Sequence, residues 1–280
     1  MHRESKWIIA ENFKIKSRSR RFLIEIDEDR AEVAARKIDL LVLYGDGWIT
    51  SEALALAVEE AVNMVIIGDE LIWLEGRPYR DVEYLMAQYD WLNISEVSHK
   101  ILNTYIRSAG YFLRKRRIAN LNVKHLIEVK NLEEKYRRSR EILEKVFADY
   151  AKKKIKEEVF SEALIFLEKL LDAEVLDAIL RVGLTPHLSF VEDIPLYSFI
   201  ALEFRGPLLW ESVLRIEELH IENLKNLEDL RRIAEILKIR LSGLVPGSKR
   251  SYREAIRRRV KALASVFRNP LASYVEKVWK

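Results

Sequence analysis

The sequence predicts an α+β protein: a small β-rich N-terminal domain over residues 1–78, then a larger all-α domain over residues 82–280. Three observations carry this expectation. Short β-branched runs of strand length crowd the first 75 or so positions, helical periodicity takes over from about Val82, and "LEGRPYRD" (74–81) separates the two patterns. "RFLIEID" and "IDLLVLYG" have the length and β-branched content of strands, "NMVIIG" is a third such run, and "ELIWLEG" follows the Gly68-Asp69 turn. Between them "ITSEALALAVEEA" has apolar residues at helical spacing behind Thr50 or Ser51 as N-cap, so the first domain is expected to be a small sheet with one short helix. In the second domain "SEALIFLEKLLDAEVLDAILRVG" is the clearest helix, ending on a glycine stop. Breaks are expected at Gly183 to Pro195, at Gly206-Pro207 and at Gly243 to Gly247.

A hydrophobic share of 49% with 33% charged residues is that of a folded chain rather than a disordered one. The N-terminus is charged from the start, and no run of about 18 apolar residues occurs, so a cytoplasmic protein without membrane association is expected. The absence of cysteine excludes disulfides, thiolate chemistry and sulfur-ligated zinc, leaving carboxylates, imidazoles and water for any metal. A single glutamine, Gln88, among many Glu, Lys and Arg resembles the composition of a thermophile's protein.

The net charge of +4 is unevenly spread. Residues 240–280 hold eleven Lys and Arg against two acids, a second basic cluster lies in "RSAGYFLRKRR" (107–117), a third runs through Lys135, Arg137, Arg138 and Arg140, and residues 157–235 are acidic. Such separation suits either a polyanion-binding face, gaining affinity from counterion release, or a set of solvated helix faces. Neither GxxxxGK[ST] nor GxGxxG is present, which leaves nucleotide binding without a motif. His99 and His125 stand on expected helices without a carboxylate at ligand spacing, and Glu141 and Glu144 read first as surface salt-link partners. "GLTPHLSFVEDIP" (183–195) gathers His187, Glu192 and Asp193 between prolines. It reads as a polar turn or, with Glu203, as a site for Mg²⁺ or Mn²⁺.

Four stretches together carry a resemblance to one known family. "IDLLVLYGDGWITSEALALAVEEAVNMVIIGDELIWLEGR" is similar to the family's strand, I-T-x-x-A-L helix, strand and hairpin, and "AQYDWLNISEVSHKILNTYIRSAGYFLRK" to its first long helices. "SEALIFLEKLLDAEVLDAILRVGLTPHLSFVEDIPLYSFIALEFRGPLLWESVLRI" resembles the core helix, the G-L-x-P-x-x-G-F loop and the E-F-R-P segment, and "SYREAIRRRVKALASVFRNPLASYVEKVWK" resembles the closing helix and tail. In these four stretches the chain resembles the Cas1 family of CRISPR adaptation integrases, and the resemblance implies a β domain that serves dimerisation, a helical DNA-binding domain, a small Cas2-like partner, double-stranded or branched DNA as ligand, and Mn²⁺ or Mg²⁺ held by a Glu, a His and an Asp.

Carried over position by position, those ligands are missing. The Glu of the family's E-G-x-A-A-R-x-Y-F pattern falls on Ser139, its His on Glu192, and its Asp on Phe199 or Ile200. Glu141 lies about 200° round the helix from the first position, a poor substitute. The family's Asn-Gln pair becomes Ser108-Ala109, and the Asn residues of V-N-A-L-L-N-Y become Ser161 and Ile165. The resemblance therefore implies a catalytically degenerate member of the CRISPR adaptation machinery, with Glu192 and Glu203 as the remnant of a metal site and no cofactor expected. It would act as a homodimer or paired with an active paralogue, contacting phosphates through Arg114, Lys115, Arg116, Arg117, Arg250, Arg253, Arg257, Arg258, Arg259 and Lys261. Two other readings stay open: an active Mn²⁺- or Mg²⁺-dependent nuclease or integrase rebuilt from Glu192, Glu203 and Glu141 or Glu144, and a DNA-binding protein outside CRISPR.

Overall fold

The computed structural model describes residues 3–76, 82–92, 95–221, 223–269 and 272–279, and divides into two compact units, Met1–Asp81 and Val82–Lys280. The last five residues of the expected linker, 77–81, lie outside the described ones.

The first unit contains two four-stranded sheets rather than one. Strands β1 (Glu4–Ile9), β5 (Ile38–Tyr44), β7 (Asn63–Ile67) and β8 (Leu71–Leu74) form the first in the order β1-β5-β7-β8, parallel except for the β7/β8 hairpin. Strands β2 (Phe13–Arg18), β3 (Arg21–Ile26), β4 (Asp29–Ala34) and β6 (Gly47–Ile49) form the second in the order β4-β3-β2-β6. Strand β5 is central and parallel, and its near-continuous apolar run matches burial on both faces. A core of Ile8, Phe13, Ile15, Phe22, Ile24, Leu41, Leu43 and Met64 is closed by Ala53, Leu56 and Ala57 from helix α1 (Ser51–Glu59). That helix starts where the Thr50 hydroxyl accepts from the Ala53 N–H at 3.2 Å.

The second unit is helical: α2 (Val82–Leu92), α3 (Ser95–Lys115), α4 (Lys124–Ile127), α5 (Leu132–Ala151), α6 (Glu157–Val182), α7 (Leu196–Ala201), α8 (Glu211–Leu214), α9 (Leu227–Ser242) and α10 (Tyr252–Arg268). The C-terminal half of α6 is buried all round, from Leu170 to Leu180, and stops at Gly183 in the left-handed conformation (φ 80°). Around it Phe147 stacks on Trp210 (centroids 4.7 Å apart), and Phe112 meets Trp210 edge-on at 5.7 Å. A capping box of Ser251 and Glu254 starts α10.

Gly206-Pro207 does not break the chain. A 3-10 turn (Leu202–Phe204) runs into a π turn (Arg205–Trp210) and on into α8, and the wider turn absorbs a proline that has no N–H to donate. Gly206 lets this turn pack closely on α3: a Cβ there would lie 3.3 Å from Phe112 Cβ, a tight contact, and 3.4 Å from the Ser108 carbonyl oxygen.

Residues 272–279 form an extended tail along α3. The Trp279 and Lys277 N–H groups donate to Ser108 Oγ (2.9 Å) and Thr104 Oγ1 (3.2 Å), and Glu276 accepts from Asn103 at 2.8 Å. Tyr274 is 1% exposed, and Trp279 packs on Phe204 at 5.0 Å.

Candidate nucleic-acid interface

The three positions that the resemblance assigns to metal ligands do not form a cation site. Ser139 on α5 is fully buried, its hydroxyl donating to the Tyr136 carbonyl one turn back at 3.0 Å. Phe199 and Ile200 on α7 are both fully buried, and Phe199 sits between Tyr136 (6.3 Å, stacked) and Phe190 (5.5 Å). Aromatic rings thus surround the Phe199 position, where a divalent ion would need hard oxygens. Glu192 is exposed, as are His187 and Asp193 in the same loop. The loop is well built: Gln88 brackets Thr185, its amide donating to the carbonyl at 2.9 Å and its oxygen accepting from the N–H at 2.7 Å, and the Leu196 N–H donates to the Pro186 carbonyl at 2.8 Å.

Glu203 is unavailable to a cation. It is fully buried, paired in bidentate fashion with Arg259 (Nε to Oε2 2.6 Å), and it accepts the Tyr274 hydroxyl at 2.8 Å. Its expected role as a metal remnant is corrected accordingly: a carboxylate neutralised by a guanidinium has no charge left for a cation. Glu144 is likewise held by Arg140 (2.7 Å) and Arg205 (3.2 Å), while Glu141 faces solvent. Among the described residues no three His, Asp or Glu side chains are grouped as a metal ion would require. His99 is half-buried, its imidazole held below its usual range by burial and then by Lys135, and His125 is exposed.

What lies beside Ser139 and Phe199 instead is a charge network that sequence reasoning missed. Arg205, 4% exposed, bridges Glu144 and Glu168, and Arg140 donates to the Tyr136 hydroxyl at 2.8 Å. Burial works against the Arg205 charge, but Glu168 and Glu144 outweigh it and hold the guanidinium above its ordinary range. One turn along α6 from Glu168, Asp172 accepts from Ser198 at 2.5 Å; burial first and Glu168 second push its carboxyl up to about 7. The signal was in the sequence: acids at i and i+4 inside the apolar run of α6, which need partners once buried.

The expected phosphate-contacting set also divides. Arg259 is 3% exposed and tied to Glu203, Arg253 is held by Glu174 (2.9 and 3.0 Å), and Arg116 is paired with Glu211. Arg259 and Arg253 therefore hold the helices together rather than face a polyanion. Arg257 is half-buried, 3.9 Å from Asp177. Arg250, Arg258 and Lys261 are exposed, as are Arg114, Lys115 and Arg117 at the end of α3, where Arg114 and Lys115 lie within 5.9 and 5.8 Å of the Tyr111 ring. Arg250 and Arg258 line a groove of about 230 Å³ with Ser248 and Lys277. The Lys277 ammonium is held below the usual lysine range by burial and then by Arg259, with Arg250 and Arg258 adding to it, the behaviour of crowded like charges. Sequence reasoning missed Lys277 because the tail had no assigned position.

The described residues include no helix long and apolar enough to cross a membrane. Comparison with known proteins gives one family model, described as CRISPR associated protein Cas1, which matches residues 7–157. No curated protein matches the sequence. Among solved structures, the Cas1 protein of Thermotoga maritima is similar at 14% identity and a TM-score of 0.80, over 99% of this chain and 100% of that one. A casposase bound to its integration product is similar at 17% identity and a TM-score of 0.78, over 99% of this chain and 94% of that one. A chain of a Cas6-RT-Cas1–Cas2 complex gives a TM-score of 0.81 at 13% identity, with all of this chain matching 36% of that longer one.

Proposed function

This chain belongs to the CRISPR-associated Cas1 family, and from that premise we propose that it is a DNA-holding subunit of the adaptation machinery in which the integrase centre has been replaced by packing. The observation that carries this reading is the burial of Ser139 and Phe199 at the family's ligand positions, with Tyr136 stacked on the phenyl ring and Phe190 tilted against it. The family's chemistry uses Mn²⁺ or Mg²⁺, and the residues present do not fit such an ion: of the three ligand positions only Glu192 holds a carboxylate, and alone it would bind the ion weakly and orient it badly. The retained α+β framework and the open cationic groove support a role in binding branched or duplex DNA. The similar complexes with an integration product and with Cas2 support DNA and a Cas2-like protein as partners, and the working unit of this reading is a homodimer or a mixed dimer with an active paralogue.

Strand transfer and cleavage on a branched, half-integrated DNA test the loss of chemistry. With Mn²⁺, with Mg²⁺ and with chelator the expected result is no product, while the same DNA is bound, and Glu192→Ala binds it equally. Metal-dependent product that disappears in Glu192→Ala would establish a rebuilt centre instead.

The interface is tested by salt. Log affinity for duplex DNA is expected to fall linearly with log salt, and Arg250→Gln, Arg258→Gln and Lys261→Gln should each reduce the slope by about 1 without changing sequence preference. Slopes equal to that of the unsubstituted chain would remove these residues from the interface.

A further inference from the structure

We propose that the outer face of the second sheet of the β unit is a platform for single-stranded DNA, on which an unpaired base stacks against Trp48 while the backbone follows the cations of β2. The proposal rests on the reading of the chain as a DNA-holding subunit. It gives that subunit another site, in the other unit and of different chemistry: aromatic stacking on a base rather than phosphate pairing alone.

The exposure of Trp48 is the first argument. Strand β6 lies parallel to β2, with Gly47 opposite Phe13, Trp48 opposite Lys14 and Ile49 opposite Ile15. Gly47 lets the two strands press together, since a Cβ there would lie 2.5 Å from the Phe13 ring. Hydrogen bonds pin both ends of β6: the Phe13 N–H donates to the Asp46 carbonyl at 3.1 Å, and the Thr50 N–H donates to the Ile15 carbonyl at 3.0 Å. Phe13 and Ile15 belong to the core, so strand alternation turns Trp48 to the opposite face, where it stays 47% exposed. An indole fixed so firmly and left in water adds little to the fold, because an aromatic ring stabilises through its burial. It is a ready surface for a base, whose π-face stacks on aromatic side chains whatever its sequence.

The setting of the ring is the second. The Lys14 and Lys16 ammonium groups each lie 5.6 Å from its centre. Lys14, Lys16 and Arg18 follow one another at two-residue steps on this face of β2, and cross-strand pairing adds Arg21 and Arg30. The acids that the strands place here are Glu25 and Glu32, and both are taken: Glu25 by Lys16 (2.9 Å) and Arg30 (3.8 Å), Glu32 by Arg21 (3.5 Å) and Arg18 (3.9 Å). Lys14, the cation directly across from the indole, has no ion pair among the described residues. A duplex would offer this face its phosphates but keep its base faces stacked inside. An unpaired strand offers both, and so matches a ring set among cations.

The test is fluorescence anisotropy of a labelled oligothymidine strand with the full chain, beside the same strand lacking its bases. Both strands are titrated into a chain carrying Arg250→Gln and Arg258→Gln, so that the groove of the helical unit does not mask the result. Adding Trp48→Ala is expected to weaken the oligothymidine strand about tenfold and to leave the baseless strand unchanged. Trp48→Phe keeps a ring and should hold most of the affinity, whereas Trp48→Leu keeps only apolar bulk and should lose it. That pair decides the matter if Trp48→Ala lowers the thermal melt. In the otherwise unsubstituted chain, Trp48→Ala should bind blunt duplex as before.

Equal affinity of the Trp48→Ala chain for oligothymidine, or the same loss with the baseless strand, would overturn the platform. The DNA-holding reading would then stand or fall separately, on the salt slopes of Arg258→Gln and Lys261→Gln with duplex. A lower sedimenting mass of Trp48→Ala with unchanged strand affinity would also overturn it and assign the face to a second copy of the chain. Tighter binding of an oligouridine strand would overturn DNA as the occupant.

Discussion

Arg259→Ala is expected to destabilise the helical unit by about 3–5 kcal/mol, because it leaves Glu203 buried and uncompensated. The removed group does three jobs: it pairs with both Glu203 oxygens, donates from Nη1 to the Val275 carbonyl at 2.7 Å, and lies 3.8 Å above the Tyr274 ring. Against a total stability of about 5–15 kcal/mol for a typical domain, that loss is large. Urea unfolding of the full chain measures it. The double variant Arg259→Met with Glu203→Met should recover much of the loss, since removing both charges removes the desolvation cost with them. Arg258→Ala, one residue away and exposed, should cost under about 0.5 kcal/mol. Equal effects of Arg258→Ala and Arg259→Ala would contradict the buried pairing.

The second large effect is a pH dependence from Asp172. The sign follows from proton counting. In the unfolded chain this carboxyl ionises near its ordinary value, about 3.9, whereas in the folded unit it keeps its proton up to about 7. Between those values the folded state binds more protons, so stability falls as pH rises through that window and is level above it. A shift of this size corresponds to roughly 4 kcal/mol. Around the carboxyl stand Ser198, Glu168, Arg205 and Arg140, and the last three carry the charges that modulate it. Asp172→Asn should keep the Ser198 hydrogen bond through its carbonyl oxygen, remove the slope, and be more stable than the unsubstituted chain at pH 8. Denaturant midpoints at pH 5 and pH 8 for both chains test this. An unchanged slope in Asp172→Asn would assign the dependence to another group.

How far the sequence could be read depended on which physical signal each element carried. Strands β3, β5 and β7 are apolar runs largely buried in the core and β8 is a half-exposed apolar run hairpinned to β7, and their apolar content found them. Strand β4, "DRAEVA", is mostly exposed, and β6 is three residues long, so neither carries enough apolar pattern to be seen; they are made by pairing to β3 and β2. The cationic tail was legible as a charge count, but a count does not say which cations face water. Helical phase does: Arg259 falls with Tyr252, Ile256, Val260 and Leu263 on the buried face of α10. Similarly, Arg253 and Arg257 meet Glu174 and Asp177, acids three apart on the buried stretch of α6, a complementarity between two helices distant in sequence. The resemblance located Ser139, Glu192 and Phe199, but only coordinates reveal that Arg140, Glu144, Glu168 and Arg205 form neutralising pairs, reached from Phe199 through Tyr136.

The tail along α3 also sets an order of assembly. Its bonds to Ser108 and Thr104 span 171 and 173 residues, among the most sequence-distant contacts in the helical unit. A chain made from its N-terminus at about 5–20 residues per second can complete the β unit many seconds before residues 272–279 exist. Until then α3 lacks its covering strand, and Glu203 lacks the Tyr274 hydroxyl. Closing so long a loop is entropically expensive, and such closure slows folding more than it limits final stability. The helical unit is thus locked by a segment made after the helices that it clasps, and a nascent chain in which the β unit is finished still has helices without their clasp.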